Sequence, residues 1–171
     1  MTIIWCREIF REMYMKKIRW KTLLLSVAIP LVVGGLSALL TMGNMELFGL
    51  LEKPPLSPPA WLFPVVWTIL YLLMGVSSYL VIRSDADADT KASAFVFYAL
   101  QLLFNFFWSI FFFNLEAYAF SFVWLIALLT LIVITAVKFG RICEVAGLLF
   151  IPYIIWVAFA SYLNAGIAIL N

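Results

Sequence analysis

All twenty charged side chains of this 171-residue chain, eleven Lys or Arg and nine Asp or Glu, lie before or between five long apolar stretches and never inside one. The stretches are residues 22–42, 60–82, 92–113, 117–137 and 145–170. About 20 apolar residues in helical form cross the hydrocarbon core of a bilayer. A charge at mid-bilayer costs about 3 kcal/mol or more, so spanning segments exclude it unless it has work to do there. Backbone polar groups in lipid must be paired internally, which makes helices the solution for runs of this length. The pattern predicts an all-α integral membrane protein, with residues 22–171 forming one five-helix transmembrane bundle.

Composition agrees with this reading. Hydrophobic residues make up 66% of the chain and charged residues only 12%, against about 25% charged in a soluble domain. That is too few charges to cover a water-facing exterior, so the expected partner of the outer surface is the lipid bilayer. A formal net charge of +2 gives no reason to expect a nucleic-acid partner. The chain has no histidine, which removes the commonest metal ligand, general base and haem axial ligand together. Its two cysteines, Cys6 and Cys143, are far apart in sequence and read as unpaired thiols; no metal site is expected.

The basic residues set an orientation. Arg7, Arg11, Lys16, Lys17, Arg19, Lys21, Arg83, Lys91, Lys138 and Arg141 fall on the N-terminal side of the spans, and Lys53 alone on the other. By the positive-inside rule the N-terminus is cytoplasmic and Asn171 external. The first stretch is too long for a signal-peptide core and no A-x-A-like site follows it, so it is expected to be retained. Residues 1–21 mix Ile3, Ile4, Trp5, Ile9 and Phe10 with basic residues and suit a position in the membrane interface. Met15 followed by Lys16, Lys17 and Arg19 equally suits the start of a membrane protein, which would make residues 1–14 dispensable.

Between the first two spans, residues 51–61 carry Pro54, Pro55, Pro58 and Pro59. Four prolines in so short a run exclude a helix and leave a stiff, extended connection. A long loop in a compact bundle favours a lid or binding element over a plain linker, with Lys53, Pro54, Pro58 and Pro59 as its candidate residues. The run Asp85, Asp87, Asp89 opens like a calcium loop, but Thr90 stands where the glycine is needed and Val96 where the bidentate Glu is needed. A solvated turn, with Asp89 or Thr90 capping the third helix, is the better reading.

Three spans place polar and aromatic side chains on one face each. Gln101, Asn105, Trp108 and Phe112 are spaced four, three and four apart; Tyr153, Trp156, Ala160 and Asn164 repeat the arrangement; Trp67, Tyr71, Met74 and Ser78 form a third stripe. Amides in hydrocarbon need partners, so these faces point inward. They serve either interhelical hydrogen bonding and core packing, or the wall of a cavity suited to a flat, mostly apolar ligand. Pro152 is expected to loosen a backbone hydrogen bond in the fifth span. Gly34, Gly35 and Ala38 form a small-residue pattern permitting close helix approach, inside the bundle or between protomers.

Three of these motifs resemble one family. The Pro-rich 51–61 segment followed by Phe63, Pro64, Trp67 and Tyr71 is similar to the second-helix signature of the TspO/MBR family, the tryptophan-rich sensory or translocator proteins. Gln101, Asn105, Phe106, Phe107, Trp108 and Ser109 resemble its third-helix motif. Pro152, Tyr153, Trp156, Ala160 and Asn164 resemble its fifth. The resemblance covers residues 22–171 in order. It implies a homodimer of five-helix bundles in a membrane, expected here to be a bacterial cell membrane. It implies a pocket near the first loop that takes porphyrins such as protoporphyrin IX and haem, or synthetic isoquinoline carboxamides. No cofactor is required; porphyrin is the ligand. Trp67, Asn105, Trp108, Trp156 and Ala160 match family pocket positions, and Phe48, Tyr71, Gln101, Tyr153 and Asn164 complete the candidate set. Some family members promote light-dependent porphyrin degradation, with Trp67 and Trp156 at the implicated positions. Two departures stand out. Phe48 sits where many members carry Tyr, and Tyr162 has no following Lys or Arg, so a proposed cholesterol motif is absent.

The expected function is therefore membrane tetrapyrrole binding with a sensory or regulatory role; the alternative is transport of porphyrins or other apolar small molecules. Ion-coupled transporters usually carry intramembrane charges or internal repeats, and neither is visible. No acid–base pair, metal cluster or activated nucleophile points to an enzyme; only photo-oxidative porphyrin degradation fits.

Overall fold

A computed structural model of the protein describes residues 18–44 and 49–171. Most of the basic 1–21 segment, and Phe48, lie outside the described residues. Helix α1 runs Trp20–Thr41 and ends in a 3₁₀ turn, Met42–Asn44. Helix α2 is Leu62–Arg83. Helix α3, Ala88–Ser109, continues as a π turn, Ile110–Asn114. Helix α4 is Tyr118–Ile142, α5 is Glu144–Leu148 and α6 is Ile151–Leu170. Among the described residues five helical runs are long and apolar enough to cross a membrane, the fifth being Glu144–Leu170. The chain is an all-α, multi-pass integral membrane protein.

Several boundaries differ from the sequence expectation for physical reasons. Helix α3 starts at Ala88 rather than 92 because Asp87 caps it: its Oδ1 accepts from the Thr90 backbone N–H at 2.8 Å. The cap is thus neither Asp89 nor Thr90. Hydrogen bonds from the Thr90 side chain and backbone hold the Asp87 carboxyl below the usual carboxylate range. Helix α4 continues past 137 to Ile142, carrying Lys138 and Arg141 in its last turns, where cations complement the helix dipole. Lys138 folds its stem back, with Nζ donating to Ser93 Oγ at 2.9 Å and lying 4.9 Å from the Phe97 ring centre. The fifth span breaks at Leu149 and Phe150, because Pro152 in the first turn of α6 has no N–H to continue the ladder from α5.

The spans alternate in direction. Lys138, near the end of α4, meets Ser93, near the start of α3; the Arg19 backbone N–H, before α1, donates to Tyr79 Oη, near the end of α2, at 3.3 Å. Helices α1 and α2 pack closely, as do α3 with α4 and α4 with α6. The α1–α2 approach depends on Gly75: a Cβ there would come within 2.5 Å of Val27 Cα. Gly34 serves the same pair, since the Tyr71 ring lies over it, whereas Gly35 faces open space. The small-residue pattern is therefore used inside the bundle at Gly34.

The half of the bundle near the α2–α3 turn is filled by rings. Tyr98 stacks on Phe139 at 5.5 Å, and Phe150 meets Phe139 edge-on at 5.6 Å. Phe139, Phe150, Leu128, Ile132 and Val81 have no exposed surface. The outer face is apolar: Leu24, Leu25, Val32, Leu36 and Leu39 on α1, among others, are exposed. A water-soluble monomer does not carry so continuous an apolar exterior; lipid covers it.

Candidate ligand-binding site

The other half of the bundle is not filled. Helices α2 and α6 are not closely packed there, and the space between α1, α2, α3 and α6 forms a cavity of about 250 Å³. Its wall includes Gly34, Ser37, Ala38 and Thr41 from α1 and Phe63, Pro64, Trp67 and Tyr71 from α2. Asn105, Trp108, Ser109, Phe112 and Phe113 come from α3 and its π turn; Ala160, Leu163, Asn164 and Ile167 come from α6. The π turn explains why consecutive rings share the cavity. The Leu115 N–H reaches back to Ile110 O at 3.1 Å, and the widened turn brings Phe112 and Phe113 to the same side.

Aromatic rings dominate the wall. Trp67 stacks on Tyr71 at 5.6 Å and lies 6.5 Å from Trp108, which in turn sits 5.4 Å from Phe112. Behind them runs a chain of neutral hydrogen bonds linking three spans. The Tyr71 hydroxyl donates to Asn105 Oδ1 (2.8 Å), Asn105 Nδ2 donates to Tyr153 Oη (2.8 Å), and the Tyr153 hydroxyl donates to Gln101 Oε1 (3.1 Å). Gln101 Nε2 ends the chain on Met74 Sδ at 3.5 Å. A second cluster forms around Asn164. Its Oδ1 accepts from Trp108 Nε1 (3.1 Å) and Ser121 Oγ (3.0 Å), and its Nδ2 donates to Tyr118 O (2.8 Å). Each inward amide in lipid thereby has partners, as a low-dielectric setting demands.

The structure sorts the candidate residues. Trp67, Tyr71, Asn105, Trp108, Ala160 and Asn164 share the cavity wall. Gln101 and Tyr153 lie behind it, fully or almost fully buried. Trp156 is also outside the wall: it meets the cavity residue Phe63 edge-on at 5.8 Å, and its buried Nε1 has no hydrogen-bond partner. Lys53, Pro54, Pro58 and Pro59 are likewise not in the wall, to which the described part of the α1–α2 connection contributes Ala60 alone. The loop is tied instead to α6. The Glu52 N–H donates to Asn171 Oδ1 (3.1 Å), Asn171 Nδ2 donates to Glu52 O (3.0 Å), and the Tyr162 hydroxyl donates to Pro55 O (2.9 Å). Pro54 sits against Gly166, in space that a side chain there would fill.

Sequence reasoning assigned nothing on α1 to the cavity. A signal was present: its buried residues are Ser26, Pro30, Ser37 and Thr41, small or polar positions spaced four, seven and four in an otherwise Leu-rich run. Ser109, Phe113, Leu163 and Ile167 were also unassigned, Phe113 because a π turn breaks the 3.6-residue period.

Fold and cavity together define a class: a five-span integral membrane protein whose bundle holds at one end an aromatic-walled cavity with no charged side chain among its described lining residues. Comparison with known sequences makes the class specific. Residues 26–170 match the TspO/MBR family, and the chain belongs to it. It is 37% identical to the tryptophan-rich protein TspO of Chlorobaculum tepidum, over 88% of this chain and 96% of that one. It is 36% identical to protein CrtK of Rhodobacter capsulatus, over 71% and 76% of the two chains. Similarity extends to the translocator protein of Ovis aries, 34% identical over 67% and 68%.

Proposed function

We propose that the protein binds tetrapyrroles such as protoporphyrin IX or haem within the bilayer and serves a sensory or regulatory role. The observation that carries this reading is the set of rings Trp67, Tyr71, Trp108 and Phe112 around one cavity. Flat aromatic ligands stack on such rings with about 0.5–1.5 kcal/mol per pair beyond area burial. The chain has no histidine, so the reading relies on stacking and not on an axial imidazole. At about 250 Å³ the cavity falls below the roughly 300–1,000 Å³ typical of drug-sized ligands. A macrocycle therefore enters in part or widens the gap between α2 and α6. The described spans carry charges only near their ends, which favours binding over ion-coupled transport.

The setting we propose is a bacterial cell membrane, with a cytoplasmic N-terminus and a homodimeric assembly. The orientation rests on the ten basic residues of the N-terminal side; the assembly rests on family resemblance. Titrating the detergent-solubilised protein with protoporphyrin IX, with tryptophan fluorescence as readout, tests the binding. Saturable quenching with affinity near 1 μM, about −8 kcal/mol, is expected, and Ala160→Phe, which fills the cavity, should abolish it. Equal quenching in a folded Ala160→Phe variant would place the ligand elsewhere.

A further inference from the structure

Going round the bundle, the seams between neighbouring spans are closed by helix packing everywhere but one, among the described residues. Helix α1 packs on α2 and on α3, and α4 packs on α3 and on α6. Beside the cavity the α1–α3 seam is also stitched by hydrogen bonds. Ser37 Oγ donates to Phe106 O (3.5 Å), Asn114 Nδ2 to Leu40 O (3.0 Å) and Asn44 Nδ2 to Asn114 Oδ1 (3.0 Å). The α1–α2 connection is held down on α6 by Asn171, Tyr162 and the Pro54–Gly166 contact. The loose seam is that between α2 and α6. In the ring-filled half of the bundle α5 closes it by packing on α2, with the Ser77 hydroxyl donating to Ala146 O at 2.7 Å. Beside the cavity, side chains close it instead.

Ring pairs cross the seam there, and they are secured differently. Trp67 meets Tyr153 edge-on at 6.0 Å, and Tyr153 is buried and bonded to both Asn105 and Gln101, so this inner pair is fixed. Phe63 meets Trp156 edge-on at 5.8 Å, and both are half-buried. The indoles of Trp108 and Trp124 are tied by hydrogen bonds, to Asn164 Oδ1 (3.1 Å) and to Phe104 O (2.8 Å). The buried Trp156 Nε1 has no such bond, and its ring is set against Phe63 and, at 5.8 Å, Phe159. An unpaired buried donor is unfavourable, so an outward swing that brings the indole to a lipid ester or water gains a bond and breaks none.

We propose that Phe63 and Trp156 form a side gate between α2 and α6, through which an uncharged molecule dissolved in the bilayer reaches the cavity while the α1–α2 connection stays fastened to α6. The route serves any such molecule and does not depend on the tetrapyrrole reading.

The test is thiol labelling of the full chain in phospholipid vesicles. Ser37, in the cavity wall on α1 and 4% exposed, supplies the reporter position as Ser37→Cys, with Cys6→Ser and Cys143→Ser removing the native thiols. The probes are N-phenylmaleimide, neutral and lipid-soluble, and N-(4-sulfophenyl)maleimide, nearly the same size but charged and confined to water. N-phenylmaleimide should label the thiol and the sulfonate should be at least about tenfold slower. Phe63→Leu and Trp156→Leu, each checked for folding by circular dichroism, should speed N-phenylmaleimide by about fivefold, the effect of losing one ring pair. The double change Tyr162→Phe, Asn171→Ala, which removes hydrogen bonds between the connection and α6, should leave the rate within about twofold. Equal labelling by the sulfonate would mean entry from water and overturn the gate. So would a loosened connection that speeds labelling as much as the gate variants do, or gate variants that fold and label at the parent rate. Absence of labelling by either probe in every variant would show the cavity closed to lipid and reject the route outright.

Discussion

The hydrogen-bond chain through Asn105 gives the sharpest test of how this bundle is held together. Replacing Asn105 with Ala removes two bonds of 2.8 Å, one from the Tyr71 hydroxyl and one to Tyr153 Oη. Tyr153 keeps its bond to Gln101 Oε1, but Tyr71 loses its acceptor. A net bond is worth about 0.5–1.5 kcal/mol, and stranding a buried hydroxyl costs about 1–3 kcal/mol, so Asn105→Ala should destabilise by about 2–4 kcal/mol. Tyr71→Phe should cost less, near 1 kcal/mol, because Asn105 retains Tyr153. The informative quantity is the coupling between the two. Membrane double-mutant cycles average about 0.6 kcal/mol with a ceiling near 1.7. A short bond between buried partners belongs in the upper half, about 1–1.7 kcal/mol. Unfolding in mixed micelles by added SDS, followed by circular dichroism without ligand, gives all four corners of the cycle. Coupling below about 0.3 kcal/mol, the level of independent sites, would refute the claim that the Tyr71–Asn105 bond holds α2 to α3.

Three further outcomes are expected. Gly75→Ala should destabilise by about 1–3 kcal/mol in the same unfolding assay, since its Cβ would press on Val27 Cα and α1 must shift; wild-type stability would show that the helices part freely. A reporter active only outside the cytoplasm should give signal when fused after Asn171 and none when inserted at 84–90; the opposite pattern would invert the proposed topology. If bound protoporphyrin IX is consumed under light, Trp67→Phe should slow the reaction more than Trp156→Phe at equal occupancy, because Trp67 is in the cavity wall and Trp156 is not. Equal slowing by both would count against contact with the ring as the deciding factor.

The spans were legible because charge exclusion from lipid is a strong and purely compositional signal. The inward stripes were legible for the same reason: Gln101, Asn105 and Asn164 are amides that lipid cannot satisfy, and all three are buried. Helix ends were less so. Asp87, Asp89 and Thr90 are all acceptable caps, and only the backbone geometry at Asp87, extended before the first turn, decides among them. Trp156 shows the limit of facial reasoning. It shares a helical stripe with Tyr153, Ala160 and Asn164, yet it is not in the cavity wall and meets the wall residue Phe63 edge-on. The period of one helix says nothing about which neighbour fills the space in front of it. The contribution of α1 was missed because its inward residues are small, and small residues draw attention only once a partner helix shows why bulk is excluded.

The neutral side chains among the described cavity residues also determine what a pH experiment on this protein can mean. The chain has no histidine, the described cavity residues include no Asp, Glu, Lys or Arg, and among them the one ionisable side chain is Tyr71, of a type that ordinarily titrates near 10. Between about pH 4 and 9 the chamber offers the same donors and the same field to whatever enters it. The protein is then a fixed reference against which a ligand's own protonation is read. A change of affinity across that range reports the ionisation of the ligand itself, at its carboxylates or ring nitrogens, or of residues outside the described wall.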